Sequence, residues 1–257
     1  MDRPRVGLAL SAGAARGLAH IGVLKVLEEA DIPIDYIAGT SAGALIGGIY
    51  SATRDLKSIE KLATSIRWDL LVDLCVPRMG LVSGEKIREF VRLLTHDMRF
   101  DELSIPFAAV AVDIESGEEV VLKEGLVADA IRASVSIPGV AVPLRLGNRL
   151  LVDGAVLNRV PINVVREMGA DLVIASSVFG RAAREKMRSI FDVIATAIEI
   201  MEMEILKNRI VEADVVIPID VTGIGPTRLD MAKDLISMGD AAARKALPDI
   251  LKGIGRM

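Results

Sequence analysis

The chain has 257 residues, a length that suits one large domain with a full hydrophobic core. Lys and Arg total 31 against 35 Asp and Glu, a net charge of -4, so the basic footprint expected of a nucleic-acid binder is missing. Hydrophobic residues at 51% and charged residues at 26% exclude a chiefly disordered chain, and one cysteine, Cys75, excludes a disulfide framework or a cysteine-rich metal cluster.

A lone cysteine fits a reducing cytoplasm. The opening Met1-Asp2-Arg3-Pro4-Arg5-Val6 shows no signal-peptide core, so a cytoplasmic location is expected. Mean hydropathy is high at +0.44, yet the longest apolar stretch, Ile32 to Tyr50, contains Pro33 and Asp35 and is rich in glycine, which argues against a membrane span. Aromatics are only 3%, so the apolar excess is aliphatic, as strands buried on both faces of a parallel sheet require. The expected class is α/β.

Val6 to Leu10 reads as a buried strand, followed by a small-residue turn and a helix from about Gly17 to Ala30 that leaves mainly Lys25, Glu28 and Glu29 for water. Asp31-Ile32-Pro33 stops that helix, Ile34 to Ala38 reads as a second strand, and Gly39 to Gly43 turns into a helix beginning near Ala44. The order is a βαβα unit. Lys57 to His96 reads as mostly helical with a break around Cys75 to Gly80, and Ser83 is the expected N-cap of the helix carrying Ile87, Val91 and Leu94. Phe107 to Ile114 and Val120 to Leu122 form a hairpin across Glu115 to Glu118, and a helix runs from Val127 to Ser136. Gly147-Asn148 turns into the strand Leu150 to Val152, and Asn163 to Met168 is helical. Leu172 to Ala175 is a strand, Ile190 to Ala213 a long helix, Val215 to Ile219 a strand, and the rest is helical. With no internal repeat and no long linker, residues 1–257 are expected to form a single domain, with a motif-bearing core over 6–175 and the final strand and helices in 176–257.

Gly39-Thr40-Ser41-Ala42-Gly43 matches G-x-S-x-G between a strand and a helix, the context in which that pentapeptide presents a nucleophilic serine at a helix N-terminus. The alternative is a Gly/Ala-rich connection in which Ser41 caps the helix. A nucleophilic serine needs a base, and the two histidines, His20 and His96, both lie on helical segments and in the wrong chain order for a Ser-Asp/Glu-His triad. Structural roles are expected for both. Asp153, at the end of a strand and followed by Gly154-Ala155, is the best-placed carboxylate, with an ordinary Asp-Gly turn as its alternative. Ala12-Gly13-Ala14-Ala15-Arg16-Gly17 presents backbone amides ahead of a helix, suited to a phosphate or an acyl-transfer oxyanion, or simply to a tight turn.

These three elements together resemble the patatin-like phospholipase family, in particular its small bacterial and archaeal members. That family carries a G-G-G-x-[RK]-G loop, a G-x-S-x-G elbow and a D-G-[GA] triplet in this order, and Ala12 to Gly17, Gly39 to Gly43 and Asp153 to Ala155 fall on those positions. Gly17 to Leu24, Ile131 to Ser134 with Ile137-Pro138-Gly139, and Met168 to Asp171 are also similar. The resemblance implies a three-layer α/β/α fold with a mostly parallel central sheet. It also implies hydrolysis of fatty acyl esters of phospholipids, lysophospholipids or related lipids, with Ser41 and Asp153 as a catalytic dyad, the Ala12 to Ala15 amides as oxyanion donors, and no metal or other cofactor. A lipid or ester substrate and transient contact with a membrane surface are the implied partners, with Val76 to Val82 (Pro77, Met79, Leu81) as one candidate apolar rim or, alternatively, a buried connection.

The departure is alanine at 12 and 14, where the family has glycine. If either needs a positive φ, the loop is strained or shifted. A weakly active or inactive lipid-binding protein of the same fold is therefore one alternative reading; transfer of the acyl group to an acceptor other than water and, with the small-residue loop as a phosphate cradle, a nucleotide-binding module are two others. The last retains only Gly17 of a G-x-G-x-x-G pattern.

Overall fold

Val6–Leu10 forms β1, and every one of its side chains is enclosed, as a strand flanked by helices on both faces demands. A computed structural model describes residues 3–76, 79–180 and 190–256. β1 pairs in parallel with β2 (Tyr36–Thr40) and with β7 (Leu172–Phe179). The parallel region extends to β3 (Phe107–Asp113) beside β2 and to β8 (Val215–Asp220) beside β7. Three antiparallel strands, β4 (Glu118–Leu122), β5 (Leu144–Leu146) and β6 (Arg149–Asp153), complete an eight-stranded sheet. The α/β architecture is as expected, with a parallel majority and an antiparallel edge.

The two faces of the sheet differ because side chains alternate along a strand. Val6, Leu8 and Leu10 join one core with α1 (Ala19–Glu29), α2 (Ala42–Thr53), α3 (Leu56–Ala63), α6 (Val127–Ser134) and α9 (Ala232–Gly253). Ala9, Ala38, Ala108 and Val110 join the other with Val164 and Val165 of α7 (Ile162–Glu167) and Leu206 of α8 (Ile190–Arg209). The C-terminal elements pack against the N-terminal ones. Arg244 on α9 pairs with Glu29 on α1, and Arg256 donates to Asp31 O at 2.8 Å. Among the described residues no helix is long and apolar enough to cross a membrane.

Several local expectations change. β2 begins at Tyr36 rather than Ile34, because the Asp35 carboxylate accepts from Val6 N at 2.7 Å and from Arg3, which holds that residue at the strand's entrance. The first helix starts as a 3-10 turn, Ala14–Leu18, before α1. Ser83 is not the N-cap of α5 (Glu85–Thr95). Gly84 occupies that position with φ 79, and the carboxylate of Asp73, which follows α4 (Trp68–Leu71), accepts from the amides of Gly84, Glu85 and Lys86. An aspartate caps the helix from outside its own segment, satisfying three orphan donors where a serine would satisfy one.

The pairing around β3 sets up the site. β4 runs along residues 109–113 of β3, so β2, opposite 107–110, and β6, opposite 111–113, share the other flank. They approach from opposite directions and meet end to end. Thr40 lies across from Val110 and Asp153 across from the next residue, Ala111.

Candidate active site

Ser41 follows β2 directly, and at this junction its hydroxyl donates to Asp153 Oδ2 at 2.5 Å. Ser41 makes no side-chain cap to α2, so the helix-capping alternative is set aside. Its backbone is in a sparsely populated region, φ 54 and ψ -119, a conformation that costs a non-glycine residue on the order of 1–3 kcal/mol. Neighbours hold it there. Ser41 N donates to Ser134 Oγ at 2.9 Å, and that hydroxyl donates in turn to Val110 O at 2.6 Å. Thr40 Oγ1 donates to Asn158 O at 2.9 Å. Gly43 is required because a Cβ there would sit 2.1 Å from Leu10 O, and Gly154 because one would sit 2.3 Å from Val110 O. These two contacts let α2 close onto the end of β1 and the turn after β6 onto the middle of β3.

Asp153 is 4% exposed and Ser41 5%. The second carboxylate oxygen of Asp153 accepts from Ala155 N at 2.9 Å, so the local Asp-Gly-Ala turn and the contact with Ser41 coexist. Burial pushes the Asp153 carboxyl up to about 7; the Ser41 and Ala155 hydrogen bonds oppose this, the charge of Glu202 adds to it, and Arg159 counters.

The small-residue loop lies between β1 and α1. Ala12 N donates to Arg159 O at 2.9 Å, Ala15 N to Pro226 O at 3.0 Å, and Arg16 N to Gly13 O at 3.1 Å. Gly13 N and Ala14 N have no acceptor among the described residues. Ala14 carries φ 49, in the left-handed region, whereas Ala12 is not among the positive-φ residues, so the strain foreseen for an alanine falls on one of the two. Arg16 is buried and does not offer a free charge. Its guanidinium meets Glu199 Oε1 at 2.5 Å and donates to Gly13 O and Gly180 O. Gly17 is buried beside Ala42.

His20 sits behind this loop. Ser11 O can only accept, so Nε2 donates to it at 2.9 Å and Nδ1 accepts from Ser176 Oγ at 2.8 Å. Burial depresses its pKa to about 4, leaving a neutral structural imidazole. His96 follows α5 with φ 49, away from this network. Sequence reading did not single out Ser134, Arg159, Glu199 or Glu202. Ser134 lies inside a recognised stretch, Ile131 to Ser134, but nothing local signals that its hydroxyl receives the Ser41 amide.

The layered α/β architecture is shared with solved structures. VipD from Legionella pneumophila matches 99% of this chain and 67% of its own at TM-score 0.69 with 13% identity. The type III effector protein ExoU matches 97% of this chain and 53% of its own at TM-score 0.57, also with 13% identity. In sequence, the patatin-like phospholipase family matches residues 8–166. An NTE family protein of Mycobacterium tuberculosis is 40% identical over 183 residues, covering 70% of this chain and 51% of the relative. The human patatin-like phospholipase domain-containing protein 6 is 35% identical over 181 residues, covering 67% of this chain and 13% of the relative. The chain belongs to the patatin-like phospholipase family, and it spans about half the length of its mycobacterial relatives.

Proposed function

We propose that this protein hydrolyses fatty acyl esters of phospholipids, lysophospholipids or related lipids, with Ser41 as nucleophile and Asp153 as its base. The observation that carries the reading is the 2.5 Å hydrogen bond from the Ser41 hydroxyl to an enclosed carboxylate whose pKa lies near 7. An exposed aspartate is too weak a base to draw a proton from serine; desolvation strengthens this one. In the proposed sequence Asp153 takes the Ser41 proton as Oγ bonds to the ester carbonyl carbon, and the tetrahedral oxyanion collects on the Gly13 and Ala14 amides. Collapse breaks the ester C–O bond, and the departing alcohol takes the proton from Asp153. Water then attacks the acyl-serine, giving its proton to Asp153, and the fatty acid leaves as Ser41 is re-protonated.

Four amides, Ala12 to Ala15, were the expected oxyanion donors. The bonds from Ala12 and Ala15 to carbonyls favour Gly13 and Ala14 for this role. The spent charge of Arg16 disfavours a phosphate-cradle reading of the same loop.

Lipid-surface contact is proposed through exposed apolar side chains. Leu74, Val76 and Met79 are 82%, 79% and 56% exposed, and Leu81 is half-buried with its amide on Val140 O. Pro77, part of the same expected rim, lies outside the described residues. This segment is paired with residues 140–142, which follow Ser136, whose carbonyl accepts from Asp153 N at 2.9 Å.

A fluorophosphonate probe tests the reading. Labelling of Ser41 in the folded protein, lost in Ser41→Ala, together with release of fatty acid from a panel of lysophospholipids, phospholipids and acylglycerols, is the expected result. A folded protein that neither labels nor turns over any ester overturns it. Acyl transfer shows in the same panel as acylated alcohol formed in place of free acid when glycerol is added.

A further inference from the structure

Residues 8–166 carry the family match, yet the small-residue loop, which packs through Gly17 against Ala42 next to Ser41, is anchored from beyond them. Glu199 and Glu202 stand three positions apart on α8 and so share one face of that helix. Glu199 pairs with Arg16, and Glu202 pairs with Arg159; both arginine side chains are buried. Each arginine then touches the small-residue loop. Arg16 Nε donates to Gly13 O at 3.4 Å, and Arg159 O accepts from Ala12 N at 2.9 Å. Gly13 O and the Ala14 N–H belong to one planar peptide group, so whatever holds that carbonyl aims that amide.

Further along α8, Met203 packs against the core around Leu206 and Arg209 pairs with Glu119. Of its described side chains only Leu206 is fully buried, whereas Ile190, Val193, Ile194, Ile200 and Met201 are exposed. Buried ion pairs add little net stability, because desolvation offsets their attraction, but they fix geometry. We propose that Glu199 and Glu202 are positioning residues for the esterase reaction, acting through Arg16 and Arg159 to aim the Gly13 and Ala14 amides at the developing oxyanion. The inference rests on the dyad reading above.

The pairs also bear on the base. The groups acting on Asp153 are the Ser41 hydroxyl, the Ala155 amide, the negative charge of Glu202 and the positive charge of Arg159. Removing the charge of Glu202 leaves Arg159 unneutralised, and both changes favour the ionised carboxylate. The acid limb of kcat/KM therefore moves to lower pH in Glu202→Gln, a shift that a purely structural helix contact does not produce.

The test is steady-state turnover of p-nitrophenyl butyrate by the full chain, with thermal melting as the fold check. Loss of a whole oxyanion donor costs about 100- to 1,000-fold, so a misaimed one is expected to lower kcat about tenfold in Glu199→Gln, with KM within twofold. Glu202→Gln is expected to lower kcat similarly and to shift the acid limb downward. Folded variants with wild-type kcat and an unmoved limb overturn the inference while leaving the dyad reading intact. A wild-type protein with no turnover and no Ser41 labelling fails the dyad reading itself. If the glutamine variants melt below the assay temperature, Glu199→Asp keeps the charge and shortens the reach. A fall in kcat of at least threefold at unchanged KM supports the brace, and wild-type kcat overturns it.

Discussion

Asp153 receives Ser41 through one carboxylate oxygen and its own Ala155 amide through the other, and it makes no ion pair among the described residues. A carboxylate so enclosed holds its charge against the cost of desolvation, which is why its pKa rises to about 7. As the proposed base, it works only when ionised. The rate constant kcat/KM for p-nitrophenyl butyrate is therefore expected to rise with pH along a limb centred near 7, and Asp153→Asn to lose at least about a thousandfold. A limb centred below pH 5 would show that the base is an ordinary solvated carboxylate.

The same burial opposes folding at neutral pH. An unfolded aspartate titrates near 3.9 and the folded one near 7, so its favourable contribution is complete below about pH 4 and is lost as pH rises through about 7. Asp153→Asn removes the charge that the fold must bury. In urea unfolding at pH 8 it is expected to be more stable than the wild type by on the order of 1–3 kcal/mol, with the difference vanishing at pH 4. A variant less stable than the wild type at pH 8 contradicts the desolvation account.

Alanine at 12 and 14 has unequal consequences. Ala14 holds φ 49 and Ala12 does not share the left-handed region. Relief of that conformation by glycine is worth about 1–2 kcal/mol, less the added freedom of the unfolded chain. Ala14→Gly is expected to stabilise by up to about 1 kcal/mol, and Ala12→Gly to destabilise slightly. Because an alanine amide donates as well as a glycine amide, kcat is expected to change less than threefold in Ala14→Gly. A tenfold rise would mean that the native loop is misaimed.

What was legible in the sequence is what local pattern encodes. The uncharged run Val6–Leu10, the hairpin at Ser116-Gly117 and the strand-elbow-helix around Ser41 each carry their own signal over a few residues. Gly39 misled as a turn residue: β2 continues through it to Thr40, because it pairs with Leu10 and Ala109. The meeting of Ser41 with Asp153 follows from β2 and β6 sharing one flank of β3, a relation no window of sequence contains. The resemblance to a family supplied that pair where spacing left alternatives open. Ion pairs such as Arg16 with Glu199, separated by 183 positions, have no local signature at all.

Ser134 provides the strictest check on the elbow. Its hydroxyl accepts from Ser41 N and donates to Val110 O, the carbonyl that Gly154 also approaches. Ser134→Ala leaves the buried Ser41 amide without an acceptor, at a cost of about 1–3 kcal/mol in unfolding free energy. The unpaired amide also removes a restraint on a strained φ, so Ser41 is expected to relax away from the position in which its hydroxyl meets Asp153. The second-order rate constant for fluorophosphonate labelling is expected to fall at least tenfold, at a temperature where the variant is folded. Equal labelling rates in variant and wild type would mean that close packing of Gly43 against Leu10 alone holds the nucleophile in place.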